Sequence, residues 1–144
     1  MPIVSVSSDN STAAVRESGQ TAERLSIVVL PPMDSITLCA VGGEVDYLTA
    51  DTLRRSLVGA LPTAGAVVVI DLSQVTFFGV AGLRVLMDAR SKCARSGRRL
   101  QLITGPRCVD RLLEVAGHAA VFDIVPSLAA VARATASEVA RVSA

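Results

Sequence analysis

The sequence predicts an α/β sandwich, one mixed β-sheet of about five strands with about four helices packed on it, in the order ββαβαβαβα. Three observations carry that prediction. Ala66–Ile70 is a continuous apolar run without charge that contains three consecutive valines. Such a run marks a strand buried on both faces, the usual state of a central parallel strand. Leu53, Leu57 and Leu61 recur at four-residue spacing just before it, the mark of an amphipathic helix. Gly79 and Gly82 bracket a turn after it, and Leu83, Leu86 and Met87 then fall at helical spacing. Strand, glycine turn and helix in that order place backbone N–H groups at the carboxyl edge of the sheet, where α/β proteins carry their sites.

The elements follow in chain order. Met1–Glu23 is rich in serine and threonine and poor in large apolar side chains, so it cannot bury enough surface to offset its ordering entropy. Residues 1–24 therefore read as a flexible tail and 25–144 as the folded domain. Leu25–Leu30 and Ile36–Val41 are short and β-prone, and Pro31-Pro32-Met33-Asp34 breaks the pattern between them. This predicts an antiparallel hairpin with a longer loop. Gly42-Gly43 loosens the chain, Thr49 suits a helix N-cap, and Ala50–Ala60 is the first helix. Pro62 and Gly65 end it, the strand Ala66–Asp71 follows, and Leu72–Phe78 reads as the connection to the glycine turn. Strand, helix, strand implies a parallel pair.

Val80–Arg95 is the second helix, with Leu83, Leu86, Met87, Cys93 and Ala94 on one face and Arg84, Asp88, Lys92 and Arg95 on another. Gly97 ends it beside basic residues, as the helix dipole favours. Leu100–Ile103 is the next strand. Pro106 suits the first position of a third helix carrying Val109, Leu112, Leu113 and Ala116, which Gly117 closes. Val121–Val125 is the last strand. Ser127 caps a final helix with Leu128, Val131, Val139 and Val142 on its apolar face.

Composition excludes several functions. Apolar residues make up 51% of the chain and charged ones 19%, with no apolar run of the ~18 residues a membrane helix needs. The N-terminus lacks a basic segment followed by an apolar one, so the expected compartment is the cytosol, without membrane attachment. A net charge of +1, no Trp, three Phe and one Tyr offer nucleic acid neither an electrostatic surface nor stacking platforms. His118 is the only histidine, in the loop after the third helix, and reads as an exposed turn residue. No nucleophile–base arrangement can be assembled without it, and no His/Cys group has metal-ligand spacing. Glu44 and Asp46, read as alternating along a strand end, are expected to point in opposite directions and make no acid–base pair. There is no Walker-type or GxGxxG loop. The expectation is a non-enzyme without cofactor or metal.

Three stretches then carry a specific resemblance: GGEVDYLTADTLRRSL (Gly42–Leu57), DLSQVTFFGVAGLRVL (Asp71–Leu86), and the Val121–Asp123 strand before a Ser-capped helix. Together they resemble the STAS domain, the family of sulphate-transporter and anti-sigma-factor-antagonist domains. The resemblance spans Leu25 to Val139 and implies the STAS-type sandwich. For a free-standing bacterial member it implies an antagonist that binds an anti-sigma factor of the histidine-kinase-like ATPase fold and so frees a sigma factor. In that family the anti-sigma factor then phosphorylates an antagonist serine and the pair separates. The serine lies in an Asp-Ser-Ser-Gly-Leu or Asp-Ser-Thr-Gly-Leu stretch, whose Asp falls here on Gly79, next residue on Val80 and phosphoacceptor on Ala81. Gly82 and Leu83 match. Alanine has no atom that accepts a phosphoryl group, so the expectation is a chain without the standard switch, a loss that does not itself remove the docking surface the resemblance implies.

The resemblance also matches Asp46 to an acidic residue beside that acceptor. Asp46, Gly79, Val80, Ala81 and Gly82 should then share one surface with Leu83, Arg84, Met87 and Asp88, open to a protein partner. On its own the Arg84–Asp88–Lys92 ladder reads as a solvated face, since exposed pairs contribute only ~0.3–0.5 kcal/mol each. The alternative reading is a sensing or scaffolding module holding a nucleotide or metabolite at the same edge. Val80 and Ala81 offer no side-chain donor, which favours the protein surface. Cys39, Cys93 and Cys108 are candidates for redox input, although scattered cysteines in a cytosolic protein usually serve as small buried hydrophobes. Cys93 lies roughly 18 Å down its helix from Ala81, too far from Cys108 for a disulfide. Monomer and homodimer both remain open.

Overall fold

The computed structural model describes residues 24–105 and 107–143. The serine-rich segment before Arg24 and Pro106 lie outside the described residues, as do the side chains at Val139 and Val142. Among the described residues, five strands form one sheet: β1 (Leu25–Val29), β2 (Ile36–Val45), β3 (Val67–Phe78), β4 (Arg99–Ile103) and β5 (Asp123–Ile124). They lie side by side in that order. β1 runs antiparallel to β2, and every other neighbouring pair is parallel. The helices are α1 (Ala50–Ala60), α2 (Val80–Arg95), α3 (Arg107–Val115) and α4 (Leu128–Ser143). The order ββαβαβαβα is the one expected.

Two clusters show why the valine run does not alternate. Val68, Ile70 and Leu72 join Leu53 and Leu57 of α1, Leu86 and Cys93 of α2, and Val109 and Leu113 of α3 in the main core. Val67 and Val69 face the other way and pack with Ile36, Ile103 and Val131 of α4. Both faces are covered there, so every position is apolar.

β3 is longer than expected. Leu72–Phe78 is strand rather than connection, and Ser73 and Thr76 therefore lie on the sheet. The parallel ladder with β2 pairs Ala40 with Asp71, Gly42 with Gln74, Gly43 with Val75, and Glu44 with Phe77. Each of the two register shifts gives β3 one residue more than β2, the arrangement of a β-bulge. Leu72, Val75 and Phe78 therefore all turn to the core at three-residue spacing, and the period-two signal disappears. β2 likewise continues through Gly42-Gly43 to Val45. Asp34 (φ 52°) and Ser35 (φ 71°) form a tight turn between the paired residues Met33 and Ile36, the conformation of a type I′ hairpin. The longer loop thus ends in a two-residue turn.

Smaller corrections concern the periphery. Ala94 is exposed although helical spacing placed it inward, and Ala116 is exposed beyond the end of α3. The last strand shrinks to Asp123–Ile124. Ser127 caps α4 as expected, its hydroxyl oxygen accepting from the Ala130 N–H at 3.1 Å. His118 is half-buried, not exposed, and its Nδ1 is buried without a hydrogen-bond partner among the described residues.

Candidate functional site

The carboxyl ends of β2 and β3 are tied together by backbone. The Gly79 N–H donates to the Val45 carbonyl at 2.8 Å, which brings the β3–α2 turn against the β2–α1 loop. Glycine at 79 is not demanded by strain, because its backbone is extended (φ −101°, ψ −179°). Gly82 is demanded by space. A Cβ there would lie 2.6 Å from Val45 Cγ1 and 2.8 Å from the Phe78 ring. The first turn of α2 rests directly on Val45 and Phe78, and only a residue without a side chain permits that approach. α2 begins without a side-chain cap, since Gly79 supplies no oxygen to its free N–H groups.

Asp46 organises the neighbouring loop. Its Oδ1 accepts from the N–H groups of Leu48 (2.9 Å) and Thr49 (3.2 Å). The Thr49 hydroxyl does not cap α1. It donates to the Glu44 carbonyl at 2.9 Å and accepts from the Asp46 N–H at 3.0 Å, folding back over the strand end. Arg24 closes the arrangement, with Nε on Glu44 Oε1 at 2.9 Å and a second nitrogen on Asp46 Oδ2. Glu44 and Asp46 therefore share a side, as residues two apart on a strand do, and the expected divergence is corrected. Burial works to raise the Asp46 pKa. The hydrogen bonds from Arg24 and from the Thr49 and Leu48 amides outweigh it and hold the carboxyl below its ordinary value. The same two carboxylates hold the Arg24 guanidinium above its own.

The expected surface residues divide by burial. Val80 and Arg84 are exposed, Asp46, Ala81, Met87 and Asp88 half-buried, and Gly82 and Leu83 buried. Leu83 belongs to the core and supports the surface from beneath. Asp88 pairs with Lys92 at 3.3 Å and with Arg54 of α1 at 3.8 Å, so this part of the ladder clips α2 to α1. Arg84 forms no ion pair among the described residues. Cys39 and Cys93 are buried and Cys108 half-buried, all as free thiols. Among the described residues no group of His, Cys, Asp or Glu is arranged to hold a metal, and no helix is long and apolar enough to cross a membrane.

The comparison with known families is decisive for the fold. A family model described as "Mlab, STAS domain" matches residues 34–126. This chain belongs to the STAS family. The anti-sigma-F factor antagonist RsfB of Mycobacterium tuberculosis is 30% identical to this STAS domain over 69 residues, 48% of this chain and 57% of RsfB. The chain thus matches a little over half the length of that relative. The anti-sigma-F factor antagonist RsfA of the same organism is 26% identical over 104 residues, 71% of this chain and 81% of RsfA. Among solved structures, an anti-sigma factor antagonist from Mycobacterium paratuberculosis superposes with a TM-score of 0.70 at 24% identity, covering 78% of this chain and 95% of that one. Unphosphorylated SpoIIAA, an anti-sigma factor antagonist, does so with a TM-score of 0.63 at 12% identity, over 76% of this chain and 96% of its own.

Four exposed residues of this STAS domain stand at the same edge, three of them new. Tyr47, Leu48, Phe77 and Val80 are 81%, 58%, 52% and 57% exposed, and of these only Val80 was expected. Tyr47 and Leu48 extend from the loop that Asp46 holds, and Phe77 precedes the glycine turn. The signal for Tyr47 was its place as the single tyrosine, next to Asp46. Phe77 gave none, because the bulges decide which of two adjacent phenylalanines faces out. Arg24 was assigned to the tail, and only the folded hairpin brings it to residues 44 and 46.

Proposed function

We propose that this STAS domain is an anti-sigma-factor antagonist that docks on its partner through the edge formed by the β2–α1 loop and the start of α2. The partner is an anti-sigma factor of the histidine-kinase-like ATPase fold, and capture frees a sigma factor in the cytosol. The observation that carries this reading is the exposure of Tyr47, Leu48, Phe77 and Val80 on the two segments that the Gly79–Val45 hydrogen bond ties together. An interface that buried them would gain roughly 25 cal/mol for each Å² of apolar surface covered, before the costs of association. Apolar side chains at a turn with no side-chain donor suit a protein face better than a nucleotide or metabolite. The names of the mycobacterial relatives support the same class of partner.

Ala81 sets this domain apart within that scheme. A phosphoserine in the first turn of α2 would bring a charge of about −1.5 to −2 into the interface and separate the pair. Alanine cannot change charge, so the protein stays in its binding state whatever the partner's kinase activity. The test is a pull-down from lysate of the source cell with wild type and Ala81→Ser, each with and without ATP, the retained proteins being identified by mass spectrometry. Wild type should retain a histidine-kinase-like anti-sigma factor in both conditions. The Ala81→Ser protein should gain phosphate and let go with ATP. Failure of both proteins to capture such a kinase overturns the antagonist reading.

A further inference from the structure

Tyr47 and Leu48 are what the β2–α1 loop brings to the docking edge, yet at 81% and 58% exposure little packing fixes where they point. Hydrogen bonds do that instead. Asp46 Oδ1 accepts from the Leu48 and Thr49 N–H groups, and the Asp46 carbonyl accepts from the Ala50 N–H at 2.8 Å. One residue thus shapes the loop and starts α1. The orientation of its carboxylate depends in turn on Oδ2, which Arg24 holds. Arg24 belongs to neither segment of the docking edge. It precedes β1, one step beyond the paired residues Leu25 and Gly43, and so stands opposite Glu44 with Asp46 on the diagonal. Gly43 permits that delivery. Its φ is +91°, and a Cβ there would lie 3.0 Å from the Arg24 carbonyl carbon and closer still to the oxygen. Only glycine lets the start of β1 lie against this turn of β2.

We propose that Arg24 is a positioning residue for partner capture: it holds Asp46 against the loop amides and so sets Tyr47 and Leu48 in the geometry that docks. This rests on the docking edge proposed above and adds the residue that prepares it. A loop ordered before the encounter does not have to be ordered during it, and the affinity is higher by what that ordering would have cost. The guanidinium suits the task because its planar fork spans two acceptors at once. Nε donates to Glu44 Oε1 at 2.9 Å and a terminal nitrogen donates to Asp46 Oδ2. Without it, Glu44 and Asp46 would stand side by side with no cation between them. Their repulsion would turn the Asp46 carboxylate away from the Leu48 and Thr49 amides.

The experiment compares Arg24→Gln and Arg24→Lys with wild type, each as the full chain. Tyr47 is the single tyrosine and tryptophan is absent, so tyrosine fluorescence anisotropy reads the docking loop. Hydrogen exchange at Leu48 and Thr49 reads the bonds to Asp46. In Arg24→Gln the anisotropy should fall and both amides should exchange faster by roughly 3–10-fold, since a cation bridging two carboxylates is lost. The Leu30 amide, bonded to the Leu38 carbonyl across the same hairpin, should keep its rate. Arg24→Lys keeps the charge but reaches one carboxylate at a time, and should fall between the two. In the lysate pull-down Arg24→Gln should retain several-fold less of the histidine-kinase-like anti-sigma factor than wild type. Loop amides and anisotropy unchanged in Arg24→Gln overturn the proposal. So does equal acceleration at Leu30, which would make Arg24 a general support of the hairpin, or undiminished capture by a loosened loop. A wild type that captures no such kinase overturns the antagonist reading and the docking role together, and a loosened loop in Arg24→Gln then distinguishes that failure from one of Arg24 itself.

Discussion

Gly82→Ala is the substitution whose effect the packing defines most closely. The added methyl would lie 2.6 Å from Val45 Cγ1 and within 2.9 Å of two Phe78 ring atoms. Both neighbours are buried in the main core, so neither can swing into solvent and the first turn of α2 must lift. Overpacking of this kind costs ~1–3 kcal/mol. Alanine's better helix propensity offsets up to about 1 kcal/mol in a helix interior, and less in a first turn. The net loss is ~1–2 kcal/mol, with a fall in Tm of about 3–5 °C per kcal/mol for a chain of this size. Gly59→Ala is the matched control. A Cβ at Gly59 meets nothing within 4 Å, so the same change should stabilise by ~0.5–1 kcal/mol. Urea denaturation of both variants beside wild type measures the two shifts. A Gly82→Ala protein as stable as wild type would show that α2 does not rest on Val45 and Phe78 as described.

Acid should loosen the β2–α1 loop. The folded Asp46 pKa is lowered, so the native state binds fewer protons than the unfolded chain. The resulting stability is complete above the ordinary carboxylate value of about 4 and lost as pH falls through the folded pKa. Denaturant midpoints between about pH 3 and 7 should fall more steeply for wild type than for Asp46→Asn, and equal slopes would count against the Arg24–Asp46 contact. The thiols should react unequally. Burial, with a smaller contribution from Cys93, pushes the Cys39 thiol up to about 12, and burial raises Cys93 as well. A thiol reagent should modify half-buried Cys108 in the native protein and reach Cys39 and Cys93 only after unfolding. Rapid modification of all three would restore the case for redox input.

The order of elements was legible because each depends on local signals: the valine run, the leucine spacing of α1, and the glycines closing α2 and α3. The glycine turn and Asp46 were legible too, through the resemblance. What escaped the sequence depends on register. Two bulges in β3 replace an alternating pattern with a three-residue one, so Leu72–Phe78 looked like loop and Phe77 could not be told from Phe78. Arg24 reaches Glu44 and Asp46 across the hairpin, a pairing twenty and twenty-two residues apart in sequence. Thr49 had the chemistry of a cap, but the strand end offered its hydroxyl closer partners.

The unequal strand lengths have a mechanical consequence. β4 pairs with β3 only from Val67 to Asp71, so from Leu72 to Phe78 the long strand is laddered to β2 alone. On the other side of β2, β1 continues the sheet as far as Gly43, so only Glu44–Val45 and Phe77–Phe78 form a two-stranded tip, and the docking edge stands on it. Val45 and Phe78 of that tip are buried beneath the first turn of α2, so a partner that clasps it bears on backbone already anchored in the main core.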